Sequence, residues 1–568
     1  MNLIEKVKTA AHIVKWRLTW DKHDLDYQPE GESKKFISAR QAARLIKDED
    51  TVISTGMAGS GRCSIFYWAL KDRYQEEAQP CNLQWVTCSA QGGRGRAPGT
   101  VEELAIPGLV KEYITGHIET AKAFLKIAEE GHVELHTMPQ GEITMLLKAQ
   151  SEGKNTIESP IGVGTFLDPR TGTGSPTTPN AKNSYISVNG NEDKLVYHLP
   201  NINVAVFSSS YADSEGNIYF KHAATVTENT EAAYAAHKNG GIVMAAVCKI
   251  IEKDEANISL PADVIDYIIV NPWNEQCASI QQRKYYEMFS AGANADLGKS
   301  IAKLKYINKL MGITPYRGPV ENTLCRMTTS VFTECAKKGD LVNLGIGLPE
   351  EVGRLLFESG LYKDLTFSSE TGAYGGLPTP GIYFGSAINP EKLMGSYNMF
   401  KHYKDHLEVG VLGILQVDSQ GNVNVSNRGK KVSDYVGPGG FLNIAASAKT
   451  IIFIGSWMAK ADMEISDKKL VINKPGISKF VDQVDEVTFS GPQALKKGKK
   501  VYYVTNVGIF RLTEKGVELM QVMPGVDIQK DIIDGCRAEI IIPEDGNVPF
   551  IPDSVITGDG LSLSLKDR

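Results

Sequence analysis

The hydrophobic and polar positions of this chain follow the same order in its two halves. The first half runs from a helical pattern to an apolar strand and then a glycine loop, at residues 38–47, 51–54 and 56–61. The second half repeats this order at residues 328–338, 341–344 and 345–349. Short apolar runs bounded by turn residues predict buried strands. The chain is therefore interpreted as an internal duplication.

The duplication continues downstream in two turns of the form D-S-x-G-N. They occupy residues 213–217 and 418–422, and each follows an apolar strand, at 204–207 and 409–412. Each copy then leads to a further apolar strand, at residues 241–247 and 450–455. Apolar strands that alternate with helical patterns predict an α/β fold with largely parallel, buried sheets. Duplicated domains of this kind often bind a ligand between them, so we expect the active site in the interdomain cleft.

Turn-forming residues mark a hinge near the middle of the chain. Gly312, Pro315, Gly318 and Pro319 follow the lysine-rich segment 299–309, which is predicted to be an exposed helix. The predicted organisation is an amphipathic extension, a first domain, a linker and a second domain that carries the catalytic glutamate, at residues 1–35, 36–310, 311–322 and 323–568. The first domain also holds a long loop, from Gly162 to about Asn180, which is predicted to be functional or mobile.

The N-terminal extension has the spacing of an amphipathic helix. Its apolar positions are Ile4, Val7, Ala11, Val14 and Leu18, with charged residues between them. We expect this face to pack on the body of the protein or on a partner subunit. Binding to a membrane surface is the less favoured alternative, because the apolar face is narrow.

Composition narrows the class of protein. The 568 residues are 42% hydrophobic and 23% charged, which is typical of a soluble protein with large cores. A net charge of −6 provides no basic surface for nucleic acid. No apolar run is long enough for a membrane span, and the N-terminus lacks the apolar core of a signal peptide. Eight cysteines without C-x-x-C spacing predict reduced thiols in a cytoplasmic protein.

One acidic residue has the setting of a nucleophile. Glu370 follows the apolar run 365–367 and precedes a turn rich in glycine, residues 372–376. A carboxylate at a strand end next to glycines can be approached closely by a large substrate. A glutamate that only hydrogen-bonds into a turn is the competing interpretation of these residues.

Five motifs, taken together, resemble the family I coenzyme A transferases. The resemblance extends from about residue 36 to about residue 545. The motifs are E-T-G followed by two glycines, G-x-G-x-P, P-Q-G, G-T-F-x-D-P-R and G-x-G-G-F, at residues 370–376, 345–349, 139–141, 164–170 and 437–441. The E-T-G form, the G-T-F-x-D-P-R run and the tail at 524–532 are most similar to the single-chain propionate and acetate CoA-transferases. The segment 374–377 and the N-terminal extension depart from the family pattern.

The resemblance implies roles for four residues. Glu370 would be the nucleophile that forms a covalent glutamyl-CoA thioester. Gln140 would donate its amide to the oxyanion of each tetrahedral intermediate, and a backbone N–H of Gly439 or Gly440 would be the second donor. Which of the two glycines donates is left open. The mechanism requires an ionised but poorly hydrated carboxylate, so Glu370 is predicted to be buried with few partners.

Other residues are expected to contact CoA or the acyl group. The candidate CoA contacts are Gly345, Gly347, Pro349, Gly372, Gly375, Gly376, Lys430 and Lys431. Arg170 is a further candidate for the phosphates, although solvated loop charges are an equally good interpretation of these cations. Tyr374 and Leu377 are expected to line the acyl pocket. The loop 56–61 lacks the Rossmann spacing, and its expected role is structural.

The sequence also argues against several chemistries. Its ten histidines show no H-E-x-x-H pattern, so no metal site is predicted. No G-x-S-x-G elbow is present, which disfavours a serine hydrolase. No permanently bound cofactor is expected, because CoA itself is the substrate and the covalent intermediate. The predicted N-terminal helix and the chain length favour a homo-oligomer.

Several functions remain open from the sequence. The leading hypothesis is a transferase that moves CoA between acetyl-CoA or propionyl-CoA and a small carboxylate. One alternative is a hydrolase on the same scaffold, in which water intercepts the glutamyl thioester. Others are a transferase for a 3-oxoacid or a bulkier acyl group, and a binding protein without catalysis.

Overall fold

The protein was analysed as a computed structural model that describes residues 1–21, 23–57, 59–93, 98–190 and 192–568. Its α-helices alternate with strands through most of the chain. In the described residues they are α1 (Leu3–Thr19), α2 (Ala39–Arg44), α3 (Ser64–Glu77), α4 (Lys122–Glu129), α5 (Gln140–Ser151), α6 (Asn229–Lys238), α7 (Leu297–Leu310), α8 (Pro319–Cys335), α9 (Leu348–Glu358), α10 (Ser396–His406), α11 (Phe441–Ser447), α12 (Gly491–Lys496) and α13 (Asp553–Thr557).

The first large sheet is built from the first half of the chain. Its strands lie in the spatial order Phe36–Ile37, Tyr267–Val270, Ile242–Ile251, Val204–Asp213, Thr51–Ser54, Leu83–Thr87, Val110–Thr115 and Glu134–Thr137. All neighbours along this path are parallel. The strand Ile218–Tyr219 adds an antiparallel pairing to Val204–Asp213. Every residue of Val204–Asp213 is buried, as expected for a central parallel strand covered on both faces.

The second large sheet is built from the second half of the chain. Its strands lie in the order Lys392–Leu393, Ala373–Tyr374, Thr366–Ser368, Leu341–Leu344, Leu407–Gly413, Thr450–Ile454, Lys500–Thr505, Gly508–Thr513, Gly516–Val522 and Ile540–Ile541. The five strands from Thr366–Ser368 to Lys500–Thr505 are parallel. Antiparallel pairings flank them on both sides. The predicted α/β class is confirmed.

The remaining strands form small sheets around the two large ones. Each contains two or three short strands: Thr156–Ser159 with Leu195–His198 and Ile186–Ser187; Glu275–Cys277 with Ile280–Gln281; Leu377–Pro378 with Ala387–Ile388; Val423–Asn424 with Gln416–Asp418 and Phe480–Val481; Met458–Ala459 with Ile477–Ser478; and Asp462–Ser466 with Lys469–Lys474.

The central strands of the two large sheets have the same topology. In the first sheet, Thr51–Ser54 lies beside Val204–Asp213, which in turn pairs with Ile242–Ile251. In the second sheet, Leu341–Leu344 lies beside Leu407–Gly413, which pairs with Thr450–Ile454. These strands are the ones that the duplicated sequence pattern identifies, so the structure confirms the internal repeat.

The two D-S-x-G-N turns have the same internal hydrogen bonds. The Asp213 carboxylate accepts from the backbone and side-chain amides of Asn217, at 3.0 and 2.8 Å. The Asp418 carboxylate accepts from the corresponding groups of Asn422, at 3.0 and 2.9 Å. Each aspartate therefore closes an antiparallel turn through a side chain that mimics backbone pairing, which explains the recurrence of the motif.

Two predicted boundaries differ from the observed ones. Helix α2 spans only Ala39–Arg44, inside the predicted 38–47, with Ser38 as its N-cap. Helix α8 begins at Pro319, inside the predicted linker 311–322. Proline is favoured in the first helical turn because its missing N–H would have no partner there. The loop between α7 and α8 is thus limited to residues 311–318, and the domain limits given above remain predictions.

The N-terminal helix packs through a different face from the predicted one. The buried residues of α1 are Thr9, Ile13 and Trp16. The large side chains of the predicted face, together with Leu3, are 58–76% exposed: Leu3, Ile4, Val7, Val14 and Leu18. The extension packs on the body through Thr9, Ile13 and Trp16 and not through the aliphatic stripe, and packing of that stripe on a partner subunit stays a prediction. In the described part of the chain, no helix is long and apolar enough to cross a membrane.

Candidate active site

A cavity of about 450 Å³ lies where the two halves of the chain meet. Its lining includes Gln140 from the first half, and Asn343, Glu370 and Gly440 from the second half. Loops that follow strands of both sheets therefore contribute to one site. Open α/β sheets commonly bind ligands at these strand ends, so the location fits a substrate cleft.

Glu370 is positioned by a tight turn after the strand Thr366–Ser368. The backbone N–H of Gly372 donates to the Ser369 carbonyl at 2.9 Å, and Gly372 has a φ of +103°. A Cβ on Gly372 would lie 1.7 Å from the Met394 carbonyl oxygen, which is sterically impossible. Glycine is therefore required at this position for a structural reason, and the turn directs Glu370 into the cavity.

The Glu370 carboxylate is buried and has few partners. The residue is 8% exposed, and the Ser369 hydroxyl donates to its Oε2 over a long 3.4 Å. Burial raises the pKa of the carboxyl above its usual value, and hydrogen bonding to its own backbone N–H, to Asn343 and to Ser369 opposes this shift. A poorly solvated carboxylate of this kind is the state that nucleophilic attack requires.

Asn343 orients the strand end beside Glu370. Its side-chain nitrogen donates to the Ser368 carbonyl at 3.2 Å and to the Tyr403 hydroxyl at 3.1 Å. Its side-chain oxygen is buried and has no hydrogen-bond partner in the described residues. Sequence reasoning assigned no role to Asn343, because a polar residue inside an apolar strand carries no chemical signal by itself.

The side chains of Gln140 and Glu370 both lie close to Gly440. Gln140 begins helix α5 and is 2% exposed. A Cβ built on Gly440 would lie 3.5 Å from both Gln140 Oε1 and Glu370 Cγ. The carboxylate, the amide and the glycine backbone therefore converge on one point of the cavity.

Side chains from the second half hold the P-Q-G segment in place. The Gly141 N–H donates to Asn443 Oδ1 at 3.0 Å, and Asn443 Nδ2 donates to Glu142 Oε1 at 2.8 Å. A Cβ on Gly141 would lie 2.4 Å from Asn443 Nδ2, so only glycine permits this contact. The segment thus fixes Gln140 against the loop that carries Gly440.

The two candidate oxyanion glycines differ in how their N–H groups are used. The Gly439 N–H donates to the Gly116 carbonyl at 2.6 Å, and the Gly439 carbonyl accepts from the Gln140 N–H at 3.0 Å. The Gly440 N–H has no hydrogen-bond acceptor among the described residues. Gly439 therefore connects the two halves, and Gly440 has the N–H that is available to a ligand.

Most of the glycines predicted to contact CoA shape the backbone of nearby loops and do not line the cavity. Gly345 lines the cavity, whereas the other five candidates do not: Gly347, Pro349, Gly372, Gly375 and Gly376. Gly347 has a φ of +89° and precedes helix α9, whose first turn contains Pro349. A Cβ on Gly376 would meet the Ile388 carbonyl oxygen at 2.4 Å. These residues shape the loops around the site.

The cationic candidates are only partly supported by the geometry. Lys430 and Lys431 are exposed and do not line the cavity, but Arg428 on the same loop does. Its guanidinium pairs with Glu119 at 2.5 Å. Arg170 instead binds the buried Asp168 carboxylate through Nε at 2.8 Å, and it is absent from the cavity lining. This pairing explains the position of Arg170 without a ligand, and its contact with phosphates stays a prediction.

The predicted acyl-pocket residues do not face this cavity. The Tyr374 ring lies against His402, with centroids 5.6 Å apart, and beneath the Lys392 ammonium at 4.3 Å. Neither Tyr374 nor Leu377 is part of the cavity lining. Tyr374 pairs with Ser368 on an antiparallel strand, so the turn that directs Glu370 inward places the tyrosine elsewhere. The geometry of this cavity therefore gives the acyl-pocket role of Tyr374 and Leu377 no support, and the role stays a prediction.

The loop 56–61 does contribute to the site, contrary to its expected structural role. Met57 and Gly59 line the cavity, as does the adjacent Arg62, whereas Ala58 lies outside the described residues. Trp16 of helix α1 also lines it. No local pattern identifies these residues, because they reach the site only through long-range packing.

Comparison with known proteins decides the family. A sequence model described as coenzyme A transferase matches residues 36–271. Caffeate CoA-transferase of Acetobacterium woodii is 33% identical over 512 residues, which cover 88% of this chain and 93% of that protein. Acetate CoA-transferase YdiF of Escherichia coli K12 is 31% identical over 88% of this chain and 91% of its own length. The chain belongs to the coenzyme A transferase family.

Solved structures agree with this assignment. The apoenzyme of the acyl-CoA transferase YdiF from E. coli O157:H7 has a TM-score of 0.82 at 28% identity, covering 95% of this chain and 100% of that one. The thioester complex of the same enzyme with CoA has a TM-score of 0.81 at 28% identity, covering 93% and 98%. The resemblance found in the sequence is confirmed, and the protein is a CoA-transferase acting between an acyl-CoA and a carboxylate.

Within the described residues, one group of side chains has the spacing of metal ligands, and it does not line the cavity. Ligand atoms of Glu112, Glu134 and His136 fall within 4.8 Å of one another. Glu112 already contacts His136 Nε2 at 3.1 Å and accepts from the Tyr185 hydroxyl at 2.5 Å. Glu112 is therefore already engaged by His136 and Tyr185 at the edge of the first sheet.

Two further carboxyl groups of the CoA-transferase are buried behind the glutamate turn. Glu228 accepts from the Gly56 N–H at 3.3 Å, and burial raises its pKa to about 8. Glu231 is also buried, with a pKa raised to about 7 by desolvation. The Thr227 N–H next to them donates to the Thr371 carbonyl at 3.0 Å. Glu228 is thus held largely protonated at neutral pH, whereas Glu231 titrates close to neutrality.

Replacing Glu228 is expected to stabilise the protein at high pH. In the folded state Glu228 keeps its proton up to about pH 8, whereas in the unfolded chain it loses it near 4.5. Stability therefore falls as the pH rises through this window, because the unfolded state alone is ionised. Glu228→Gln should gain on the order of a few kcal/mol at pH 8.5 and little at pH 5. Denaturant unfolding at both pH values, with exposed Glu30→Gln as control, measures this; equal gains at both would contradict it.

Proposed function

We propose that this CoA-transferase exchanges CoA between short-chain acyl-CoA, such as acetyl-CoA or propionyl-CoA, and a small carboxylate. The exchange would proceed by ping-pong catalysis through a glutamyl-CoA thioester on Glu370. The observation that carries the proposal is the convergence of a buried Glu370 carboxylate, the Gln140 amide and the Gly440 N–H in one cavity.

The first half-reaction would transfer CoA to the enzyme. A carboxylate oxygen of Glu370 attacks the thioester carbonyl, the carbon–sulfur bond breaks, and CoA leaves as a thiolate. The product is a mixed anhydride between the acyl group and Glu370. The thiolate then attacks the glutamyl carbonyl, the anhydride bond breaks, and the donor carboxylate departs. Glu370 is left as a CoA thioester, so one difficult exchange is divided into easier steps.

The second half-reaction would run the same steps in reverse. The acceptor carboxylate attacks the glutamyl thioester and releases CoA thiolate, which then attacks the acceptor's carbonyl in the anhydride. Every tetrahedral intermediate in both halves carries one oxyanion. The Gln140 amide and the Gly440 N–H are suited to stabilise it, because both are fixed before the substrate arrives.

The choice of substrates rests on the resemblance and on the related proteins. The E. coli relatives are named acetate CoA-transferases, and the A. woodii relative is named for caffeate. The E-T-G motif form and the tail at 524–532 favour the short-chain branch. Acetate and propionate are therefore the acceptors we propose for this chain.

An acceptor assay separates the proposed function from hydrolysis. The enzyme is incubated with propionyl-CoA, with and without acetate, and both free thiol and acetyl-CoA are measured. We expect acetyl-CoA to form at the rate at which propionyl-CoA is consumed, without net thiol release. Thiol release that is independent of acetate would show that the enzyme is a CoA-ester hydrolase.

Assembly and location are also proposals. A homo-oligomer is supported by the exposed aliphatic side chains on α1, since large apolar groups are usually covered by protein. A cytoplasmic location is supported by eight cysteines that form no disulfide.

A further inference from the structure

The N-terminal helix α1 brings an aromatic residue into the active-site cavity. Trp16 is 6% exposed and forms part of the cavity lining. It lies before residue 36, where the match to the family's sequence model begins. The site of this protein therefore contains a wall residue from outside the segment that the family model covers.

Hydrogen bonds hold Trp16 in a fixed position. Its indole Nε1 donates to Glu275 Oε1 at 2.7 Å. Glu275 Oε2 in turn accepts from Arg62 Nη2 at 2.8 Å. One turn before Trp16, His12 Nε2 lies 2.7 Å from the Ser279 carbonyl oxygen. A buried indole that donates a hydrogen bond to a carboxylate is held rigidly, so it can limit the size of a substrate.

The cavity lining contains two chemically different sets of residues, called here its two arms. One arm holds Arg428, Glu119 and His117, next to the exposed Lys430 and Lys431. The other arm is lined mainly by apolar side chains: Trp16, Met57, Ala278, Met311, Ile382 and Phe384. Arg62, the cation of the apolar arm, is neutralised by Glu275. The phosphates of CoA fit the first arm, which leaves the second for an uncharged acyl chain.

Close contacts connect the apolar arm to the catalytic turn. A Cβ on Gly385 would lie 2.8 Å from Thr371 Cγ2 and 3.2 Å from Met57 Cε, so Met57 reaches the residue next to Glu370. A Cβ on Gly59 would lie 2.4 Å from Ala278 Cβ and 3.2 Å from the Ile382 carbonyl oxygen. Ala278 adjoins Ser279, whose carbonyl contacts helix α1. These contacts place apolar-arm residues both beside the catalytic turn and beside the segment that holds helix α1.

We propose that Trp16 forms the end wall of the acyl subsite and limits the length of the acyl group that is transferred. This inference rests on the proposed function, since it assigns the apolar arm to the acyl group. The residue that determines acyl size would then be Trp16 of the N-terminal extension and not Tyr374, which does not line the cavity. An acyl chain of two or three carbons fits before the indole, and longer chains collide with it.

The test compares Trp16→Ala with the full-length wild type for two chain lengths. Values of kcat/KM are measured for propionyl-CoA and hexanoyl-CoA with acetate as acceptor. Dissociation constants are measured by calorimetry for S-propyl-CoA and S-hexyl-CoA, thioethers that lack the carbonyl attacked by Glu370. Trp16→Ala should raise the hexanoyl-to-propionyl ratio of kcat/KM at least about tenfold, since a few methylene groups in an apolar pocket have effects of this size. The thioether affinity ratio should shift in the same direction.

Two control variants separate the wall from the anchoring of the helix. Trp16→Phe removes the hydrogen bond to Glu275 but keeps an aromatic ring, so its chain-length ratio should stay near that of the wild type. Trp20→Ala removes a tryptophan of the same region that packs edge-on against Trp16 but does not line the cavity. Its ratio should also be unchanged. If Trp16→Ala does not fold, Trp16→Leu takes its place with a smaller expected shift.

The outcomes distinguish this inference from the proposed function. Equal losses for both chain lengths in Trp16→Ala, or an equal shift of the ratio in Trp20→Ala, would overturn the end-wall role. A shift in thioether affinity without any CoA exchange by the wild type would support the end wall and overturn the proposed function. CoA exchange by the wild type, together with an unchanged hexanoyl-to-propionyl ratio in Trp16→Ala, would support the proposed function and overturn the end-wall role.

Discussion

Glu370→Gln is expected to abolish CoA exchange, with a loss of about 10⁴–10⁶-fold in kcat, the range observed when a member of a covalent catalytic unit is removed. The neutral amide has almost the same shape as the carboxyl, so the buried turn should fold normally. It cannot form the anhydride, however, because an amide oxygen is a poor nucleophile. The loss should therefore appear in kcat without an equivalent loss of acyl-CoA binding.

The covalent intermediate gives a direct measurement of the same prediction. Wild-type enzyme incubated with propionyl-CoA and no acceptor should gain the mass of CoA minus water, located by peptide mapping on Glu370. Acetate should discharge this adduct, and Glu370→Gln should never form it. Glu391→Gln, which changes an exposed carboxyl near the same turn, is the matched control and should behave as wild type. An adduct in Glu370→Gln would assign the nucleophile to another residue.

The sequence was sufficient to predict the fold class, and its main candidate residues Glu370, Gln140 and Gly440 line one cavity. Strands Thr51–Ser54 and Leu341–Leu344 are short apolar runs followed by glycine loops, and they occur at the predicted residues. Glu370, Gln140 and Gly440 belong to motifs whose spacing is fixed by tight turns. Gly141 and Gly372 show why, since a side chain at either position would collide with neighbouring atoms. Local steric requirements of this kind leave a pattern that can be read in a single sequence.

Long-range contacts account for what the sequence did not predict. Met57, Arg62 and Trp16 reach the cavity only because the first half folds against the second. Tyr374 is four residues from Glu370 in sequence, yet the turn between them separates their side chains. Proximity along the chain therefore predicted an acyl-pocket residue that the geometry does not support.

The N-terminal helix illustrates a choice between two apolar faces. Its aliphatic stripe has regular helical spacing, and the opposite face contains Ile13 and Trp16. The body binds the second face, where Glu275 and the Ser279 carbonyl provide partners for Trp16 and His12. The periodicity of the sequence identifies the more apolar face of the helix. Hydrogen-bond partners on the body determine which face is buried.

Removing the Gln140 amide is expected to slow both half-reactions without preventing them. Gln140→Leu keeps the size of the side chain but removes the hydrogen-bond donor, so each oxyanion would retain only the Gly440 N–H. Loss of one preorganised oxyanion donor typically costs about 10²–10³-fold in rate. The backbone of the variant should be intact, because the Gln140 N–H still donates to the Gly439 carbonyl and the Gly141 N–H to Asn443.

A single-turnover measurement separates this role from that of the nucleophile. In Gln140→Leu the CoA adduct on Glu370 should form about 10²–10³-fold more slowly than in the wild type, but to the same final extent. Gln140→Glu should be at least as slow, since its carboxylate would repel the oxyanion. A rate within tenfold of wild type in both variants would show that Gln140 only fills space beside Gly440. The donor is best judged by rate and the nucleophile by the existence of the adduct, because stabilising an intermediate changes how fast it forms, whereas the carboxylate determines whether it can form.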